Sequence, residues 1–265
     1  MGTISNQFVW KSDRLILGEL VFRIANVKSN GWELGDQCFL LHKSRRMMDQ
    51  YDAFWARHQD FRASHVLELG IADGGSIAFW QEIWNTKRFV GIDIRERGDS
   101  DYFTQWKRSR GLKHRVKTYW GVSQTDTDTL LKIFHEDFDD HLDLVIDDAS
   151  HVYTETKASF EILFPLLHPG SLYIIEDWSW GCRPNLPPDF PLPHGTELMK
   201  LVSELMEATG SLVRAFTGNG VMGQIRPLIS NMEIYPDFIV VERGVGDPPE
   251  DGLKLDEYIT HRPPR

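Results

Sequence analysis

The sequence has few cysteines, no long apolar run and no excess of positive charge. Its 265 residues include 2 cysteines, Cys38 and Cys182. They lack the close spacing of a metal-binding pair, so we expect free, reduced thiols and no disulfide framework. No apolar run reaches the roughly 18 residues of a membrane-spanning helix, and no secretory signal pattern opens the chain. These absences predict a cytoplasmic protein without a membrane partner.

The charge balance further limits the classes of molecule that the chain is expected to bind. Lys and Arg number 29 against 39 Asp and Glu, which gives a formal net charge of -10. A chain this acidic is not expected to bind a nucleic acid or an anionic membrane surface. The hydrophobic fraction of 41% is high enough for a sizeable core and argues against general disorder.

Apolar runs alternate with stretches typical of helices through the middle of the chain. Continuous apolar strands separated by helices predict a mostly parallel, doubly wound α/β sheet covered on both faces. The predicted strands are 65–70, 88–94, 115–121, 142–148 and 171–177, and the helices are 74–86, 126–138 and 153–170.

Residues 1–60 are predicted to form an N-terminal helical extension, and residues 61–265 a single catalytic α/β domain. In the extension, Met47, Met48, Tyr51, Phe54 and Trp55 recur at helical spacing. The apolar face of this helix would pack on the core or on another subunit, which leaves a homo-oligomer open. A further helix over 194–210 and a last strand over 237–244 follow the core.

The first core strand runs into the segment ELGIADGGS, residues 68–76. Glycines are needed where the backbone turns sharply after a strand and approaches a ligand closely. The segment is neither G-x-G-x-x-G nor a phosphate-binding P-loop. Asp93, about twenty positions beyond the turn, is placed to accept hydrogen bonds from ribose hydroxyls. The alternative is a tight strand–helix turn with a surface aspartate.

Two pairs of acids end consecutive predicted strands. Asp147 and Asp148 end one, and Glu176 and Asp177 end the next. If these strands are neighbours, like charges about 4 Å apart repel by roughly 4 kcal/mol per pair at an effective dielectric of about 20. Two remedies exist: one acid can take up a proton through a raised pKa, or a hard cation can neutralise the group, with Mg²⁺ favoured and Mn²⁺ or Ca²⁺ open. In the alternative interpretation, one aspartate only caps a helix starting near Ser150.

His151 follows these acids closely. An imidazole with an ordinary pKa near 6.5 suits a general base at neutral pH. The alternative is a packed or solvated histidine without a chemical role.

The glycine turn and its acids resemble class I S-adenosylmethionine-dependent methyltransferases. The resemblance rests on Glu-x-Gly-x-x-x-Gly-Gly-Ser after the first strand, on Gly-Ile-Asp at the second, and on WGVSQTD at 120–126. It implies a seven-stranded sheet whose last strand is antiparallel. It also implies an S-adenosylmethionine site in which Asp93 binds the ribose, Ser123 and Gln124 face the adenine edge, and the turn faces the methionine. The cofactor-binding residues expected on the turn are Glu68, Gly70, Ala72, Asp73 and Ser76.

The segment from Asp143 to Trp178 resembles antibiotic-tailoring sugar O-methyltransferases of the macrocin and mycinamicin type. The motifs are Asp-Asp-Ala-Ser-His at 147–151 and Pro-Gly-Ser-Leu-Tyr-Ile-Ile-Glu-Asp at 169–177. The resemblance implies Asp148, Glu176 and Asp177 as Mg²⁺ ligands, with His151 as base and Asp148 also serving catalysis. Asp147 would face the cofactor or support the turn. The implied partner is a small-molecule acceptor, a hydroxyl of a natural-product sugar or a related compound.

Other functions remain open on sequence alone. A methyltransferase of the same fold could modify nitrogen or carbon without a metal. A metal-dependent hydrolase or oxygenase could use the same acids, although the glycine turn argues against it. A non-catalytic binding module would not need Glu68, Asp93 and His151 together.

Trp178 and Trp180 begin a Trp- and Pro-rich segment that would cover the acceptor or, alternatively, pack in the core or against a subunit.

Overall fold

The structure is a computed structural model that describes residues 4–24, 38–180, 198–211 and 226–258. The chain divides into two compact units, residues 1–123 and 124–265. In the first unit, short strands lead into a helix and then into alternating strands and helices. Its elements are β1 (Phe8–Lys11), β2 (Arg14–Leu17), β3 (Leu20–Ile24), β4 (Phe39–Leu41), α1 (Arg45–Arg57), β5 (His65–Leu69), α2 (Gly75–Trp84), β6 (Arg88–Asp93), α3 (Asp101–Ser109) and β7 (Val116–Trp120).

The second unit continues the alternation and ends in an antiparallel pair of strands. Its elements are α4 (Thr127–Phe138), β8 (Leu144–Asp147), α5 (Tyr153–Leu163), β9 (Leu172–Glu176), α6 (Leu198–Ser211), β10 (Ile229–Ile234) and β11 (Phe238–Arg243). All the core strands and helices expected from the sequence are present, with ends that differ by a few residues. The described helix α6 begins at Leu198, so the expected helical residues 194–197 lie outside the described part of the chain.

Among the described residues, seven strands form one mixed sheet in the order β10-β11-β9-β8-β5-β6-β7. In the first unit β5, β6 and β7 run parallel, and in the second β8 and β9 run parallel. Strand β11 is antiparallel to both β9 and β10. The predicted α/β class, with a doubly wound, mostly parallel sheet of seven strands, is confirmed.

The N-terminal extension is only partly helical. Helix α1 lies where it was expected, but the described residues before it form a four-stranded sheet in the order β1-β2-β3-β4. Leu15, Leu17, Leu20 and Phe22 are buried on β2 and β3, and the alternating polar or half-buried residues face away. Alternation of buried and exposed residues with a period of two is typical of strands. The sequence-based prediction of a helical extension overlooked this alternation because each strand is short. The boundary expected between residues 60 and 61 stays a prediction.

Three of the helices whose starts are described begin with side-chain caps. The side chains of Ser44, Ser100 and Asp126 accept hydrogen bonds from backbone N–H groups at the starts of α1, α3 and α4. Such bonds satisfy donors that have no partner inside the helix and typically contribute about 1 kcal/mol each. The caps therefore set where these helices start. No helix among the described residues is long and apolar enough to cross a membrane.

Replacing Gly75 by alanine is expected to destabilise the first unit. An added Cβ would lie 1.8 Å from the carbonyl oxygen of Leu40 on β4, and a backbone atom cannot move aside cheaply. Overpacking of this kind costs about 1–3 kcal/mol or more. Thermal unfolding should show a lower midpoint. Gly98→Ala is the matched control, because a Cβ there meets nothing within 4 Å; equal midpoints for the two variants would contradict the expectation.

Candidate active site

The turn after β5 has an unusual backbone. Gly70, Ala72 and Gly74 have φ values of 80°, 51° and 84°, in the left-handed region. Gly70 donates its N–H to the carbonyl of Ile92 at 2.9 Å, and Ala72 donates its N–H to Asp93 Oδ2 at 2.9 Å. A non-glycine residue in this region costs of order 1–3 kcal/mol and is often found at ligand sites. The turn is therefore tied closely to the end of β6, where Asp93 lies.

Asp93 is paired with an arginine that the sequence interpretation overlooked. Arg95 Nε donates to Asp93 Oδ1 and Arg95 Nη2 to Oδ2, both at 2.8 Å. Burial alone would raise the pKa of Asp93, but the hydrogen bonds and charge of Arg95 outweigh burial and lower that pKa. The carboxylate is thus ionised and accepting, as a ribose-binding acid must be. The sequence feature that could have indicated this pair is the arginine two positions after Asp93.

The other turn residues predicted to bind a cofactor lie around the same strand ends. Glu68 on β5 is fully buried, and Ser76 lies in the first turn of α2. Asp73 accepts the N–H of Gly75 at 3.3 Å, and burial raises the pKa of its carboxyl. Ser123, the last residue of the first unit, is half-buried. Their cofactor roles stay predictions.

In the second unit, β8 and β9 are direct neighbours, as the interpretation of the acids assumed. Asp147 pairs with Ile175 in parallel register, so the acids that follow lie at the same edge. The side chains of Asp148, His151 and Asp177 converge there. Each offers one ligand atom, and these atoms all lie within 4.8 Å of one another.

The distances within this group are those of a compact ligand set. His151 Nε2 lies 3.8 Å from Asp148 Oδ1 and 4.0 Å from Asp177 Oδ2, and all three side chains are largely buried. In an octahedral Mg²⁺ site with bonds near 2.1 Å, two ligand atoms lie roughly 3–4.2 Å apart. The group is therefore compact and provides the carboxylate oxygens that a small hard cation prefers.

Two members of the group adopt left-handed backbone. His151 has φ 56° and Asp177 has φ 55°. Asp, Asn and His tolerate this region better than most residues, yet it remains sparsely populated. Both residues with left-handed backbone have side chains that could bind a metal, so the strained backbone lies at the candidate site.

Glu176, expected as a metal ligand, is not part of this three-residue group. It is the last residue of β9, is almost fully buried and pairs with Phe238 of β11. Its role as a ligand stays a prediction. The alternative in which an aspartate only caps the next helix is wrong: the N-cap of α5 is Val152, and no side chain bonds there as a cap.

Two tryptophans follow Asp177. Trp178 Nε1 donates to the carbonyl of Tyr235 at 2.7 Å, which anchors it to the turn between β10 and β11. The Trp180 ring lies 5.6 Å from the His151 ring, centroid to centroid, at 32°. The rest of the predicted covering segment, residues 181–197, lies outside the described residues.

Asp147 and Gln124, both predicted to bind the cofactor, meet in a buried network. Ser159 Oγ donates to Asp147 Oδ2 at 2.6 Å and Tyr173 OH donates to the same oxygen at 3.1 Å. Burial raises the pKa of Asp147 to about 6, although these hydrogen bonds partly oppose the shift. The arrangement agrees with the expectation that Asp147 supports the turn. Ser159 and Tyr173 were overlooked, since nothing in the sequence shows that α5 and β9 meet at Asp147.

Comparison with known proteins adds an independent observation. Residues 67–178 match the family model described as a methyltransferase domain. This part of the chain is therefore similar to a methyltransferase domain. The match covers both the glycine turn and the acidic strand ends.

Curated proteins similar to this chain are named as O-methyltransferases. Mycinamicin VI 2''-O-methyltransferase of Micromonospora griseorubida is 29% identical over 203 residues, 72% of this chain. A second relative, 8-demethyl-8-alpha-L-rhamnosyl tetracenomycin-C 2'-O-methyltransferase of Streptomyces olivaceus, is 32% identical over 134 residues, 48% of this chain. The chain covers 47% of the first relative and 32% of the second, so it spans half of their length or less.

A solved structure is similar in fold. MycE methyltransferase from the mycinamycin biosynthetic pathway, in complex with Mg and SAH, matches with a TM-score of 0.51 and 26% identity. The match covers 76% of this chain and 52% of that one.

Proposed function

We propose that the chain is the catalytic part of an S-adenosylmethionine-dependent, Mg²⁺-dependent O-methyltransferase. Its acceptor is a hydroxyl of a natural-product sugar or a related polyhydroxylated small molecule. The observation that carries the proposal is the convergence of Asp148, His151 and Asp177 at the edge of β8 and β9, within a methyltransferase domain.

The turn after β5 supports the cofactor part of the proposal. Left-handed backbone at three of its positions allows the chain to approach a ligand closely. Asp93, tied to the turn through Ala72, would accept the ribose hydroxyls once Arg95 moves aside. Relatives of this domain include a structure that contains SAH.

The chemistry of the donor set supports the metal part. Asp148 and Asp177 provide carboxylate oxygens, which Mg²⁺ prefers, and the similar MycE methyltransferase structure contains Mg. Bound together, the cation would acidify an acceptor hydroxyl and S-adenosylmethionine would supply the methyl group. Glu176 is kept in the proposal as a further ligand on the resemblance alone.

His151 would accept the hydroxyl proton at Nε2. Its ring is held between the acids and Trp180, so it has little freedom to turn away. Holding the reacting groups in place in this way accounts for much of the rate enhancement of a direct methyl transfer. Trp180, beside the base, is placed to contact a sugar ring.

The acceptor class rests on the relatives. The two curated relatives are named as O-methyltransferases of mycinamicin VI and of a rhamnosyl tetracenomycin. A sugar diol also offers two neighbouring oxygens that one cation can hold. A homo-oligomer through the α1 face stays a prediction.

The decisive experiment is a calorimetric titration of the protein with S-adenosylmethionine, with and without Mg²⁺. We expect saturable binding of S-adenosylmethionine at one site. Absence of cofactor binding under both conditions would refute the proposal. Methyl transfer from labelled cofactor to a panel of glycosylated macrolides and aromatic polyketides would then identify the acceptor.

Asp93→Ala tests the cofactor site within the same titration. Loss of hydrogen bonds to a charged acceptor costs about 1.5–3 kcal/mol, so we expect the affinity for S-adenosylmethionine to fall about 10- to 100-fold. Asp49→Asn on α1 serves as a surface control, since it also removes one carboxylate charge. Equal affinity in the Asp93 variant and the wild type would remove Asp93 from the site.

A further inference from the structure

Gln124 is a nearly buried amide whose polar atoms are all in use. Its Nε2 lies 3.3 and 3.4 Å from the two carboxylate oxygens of Asp147 and 3.2 Å from Ser159 Oγ. Its Oε1 accepts the backbone N–H of Ser150 at 3.0 Å. An amide with two donor hydrogens and one accepting oxygen so engaged has little capacity left for an adenine edge. The role expected from the sequence therefore does not fit its contacts.

The groups that Gln124 joins come from different elements of the second unit. Asp147 ends β8, Ser159 lies on α5 and Tyr173 lies on β9. Asp147 and Tyr173 are buried and share hydrogen bonds with Ser159, which is itself fully buried. Buried networks of this kind are rigid when every member is satisfied.

The loop between β8 and α5 is attached to this network by its backbone. Ala149 donates its N–H to Asp147 Oδ1 at 3.4 Å, and Ser150 donates its N–H to Gln124. Ser150 Oγ also accepts the N–H of Val152, the N-cap of α5, at 3.2 Å. The bonds of Ser150 and Val152 lie on both sides of His151, whose left-handed φ of 56° must be maintained by its surroundings.

We propose that Gln124 is a positioning residue that holds the loop of residues 148–151 so that Asp148 and His151 face Asp177. The inference rests on the proposed function and assigns Gln124 a task in its metal and base site. Gln124 touches neither metal nor acceptor; it acts through the Ser150 backbone and Asp147. Because Tyr173 is on the strand that precedes Asp177, the same network also keeps both strand ends in register.

Gln124→Met keeps the size of the side chain and removes its hydrogen bonds. Loss of a partner behind the metal ligands typically costs 10–100-fold in metal affinity, and we expect this range for Mg²⁺ or Mn²⁺ titrated into the protein without cofactor. Gln81→Met is the matched control. Gln81 is also a buried amide with internal hydrogen bonds, but it lies on α2 in the first unit.

Hydrogen exchange provides a readout that needs no metal. The Ser150 amide should exchange faster in Gln124→Met than in the wild type, and Gln81→Met should leave it unchanged. A purely structural role of Gln124 would lower the unfolding midpoint as Gln81→Met does, without a selective change at Ser150 or in metal affinity.

A rescue experiment tests the pairing itself. Gln124→Glu places two carboxylates against each other and should weaken metal binding as Gln124→Met does. Adding Asp147→Asn restores a donor–acceptor pair, and the carboxylate introduced at position 124 can still accept the Ser150 N–H, although only one oxygen at position 147 is left for the donors of Ser159, Tyr173 and Ala149. The double variant should therefore recover about 10-fold in affinity, a coupling within the range seen for contacting residues.

The outcomes separate the two claims. If the wild type binds no divalent cation, the metal part of the proposed function fails and the inference fails with it. If the wild type binds the cation and Gln124→Met binds it equally well, only the inference is overturned.

Discussion

Asp177→Asn is expected to weaken Mg²⁺ binding by more than about 100-fold, since replacing even a partner behind a ligand costs 10–100-fold. The substitution removes a negative charge from an atom 4.0 Å from His151 Nε2, within the three-residue group. Asparagine keeps the shape of the side chain and tolerates the left-handed backbone with φ 55°. The fold should therefore persist, and isothermal titration with Mg²⁺ should report the ligand loss alone.

Asp139→Asn is the control for the charge change. Asp139 is the exposed C-cap of α4 and also has a left-handed backbone, with φ 50°. We expect its Mg²⁺ affinity to match the wild type. If Asp177→Asn also matched the wild type, the metal site proposed at this edge would be wrong.

Glu176→Gln, titrated beside these variants, separates a site of two carboxylates from one of three. Asp148 and Asp177 converge in the structure and Glu176 does not join their group. A large loss with Glu176→Gln would support the ligand set implied by the resemblance. An affinity like that of the wild type would restrict the carboxylates to Asp148 and Asp177.

The core of the fold was predictable because its strands are buried on both faces. Val66, Leu67, Leu144 and Val145 are almost fully buried, so β5 and β8 appear in the sequence as continuous apolar runs. The glycine turn and the acids at the strand ends then follow from the position of each strand's end. The small sheet of β1–β4 was harder to predict, since its strands are three to five residues long.

The sequence predicts that the two pairs of acids lie close together, but it does not predict which acid of each pair contacts His151. Neighbouring parallel strands bring the two acidic pairs to one edge, which needs only the strand order. Which acid of a pair turns toward His151 depends on the backbone, and a left-handed φ at Asp177 is not visible in an Asp-Trp dipeptide. The direction of the Gln124 side chain is likewise set by partners more than twenty positions away along the chain.

His151→Asn is expected to lower the rate of methyl transfer by about 10²–10⁴-fold, the range for loss of a general base. Mg²⁺ affinity should change little, because Mg²⁺ prefers oxygen ligands and the carboxylates of Asp148 and Asp177 remain. Asparagine again suits the left-handed position, where alanine would add strain. Single-turnover rates and Mg²⁺ titration, measured on the same preparation, separate the two effects.

A loss of Mg²⁺ affinity in His151→Asn would assign a different role to His151. His151 Nε2 lies near both carboxylates, so it is also placed to be a ligand. If His151→Asn lost Mg²⁺ affinity as strongly as Asp177→Asn, the imidazole would be a ligand and the base would be another group. His168→Asn, an exposed histidine before β9, controls for the substitution itself.

Chemical rescue distinguishes a base from a residue that only shapes the loop. His151→Gly removes the imidazole and relieves the left-handed backbone, since glycine adopts that region freely. Added imidazole should then restore part of the methyl-transfer rate in proportion to its neutral form. A lost base can be replaced by a free one, whereas a misplaced loop cannot. Absence of rescue, with Mg²⁺ affinity intact, would assign His151 to holding the loop and Trp180 rather than to proton transfer.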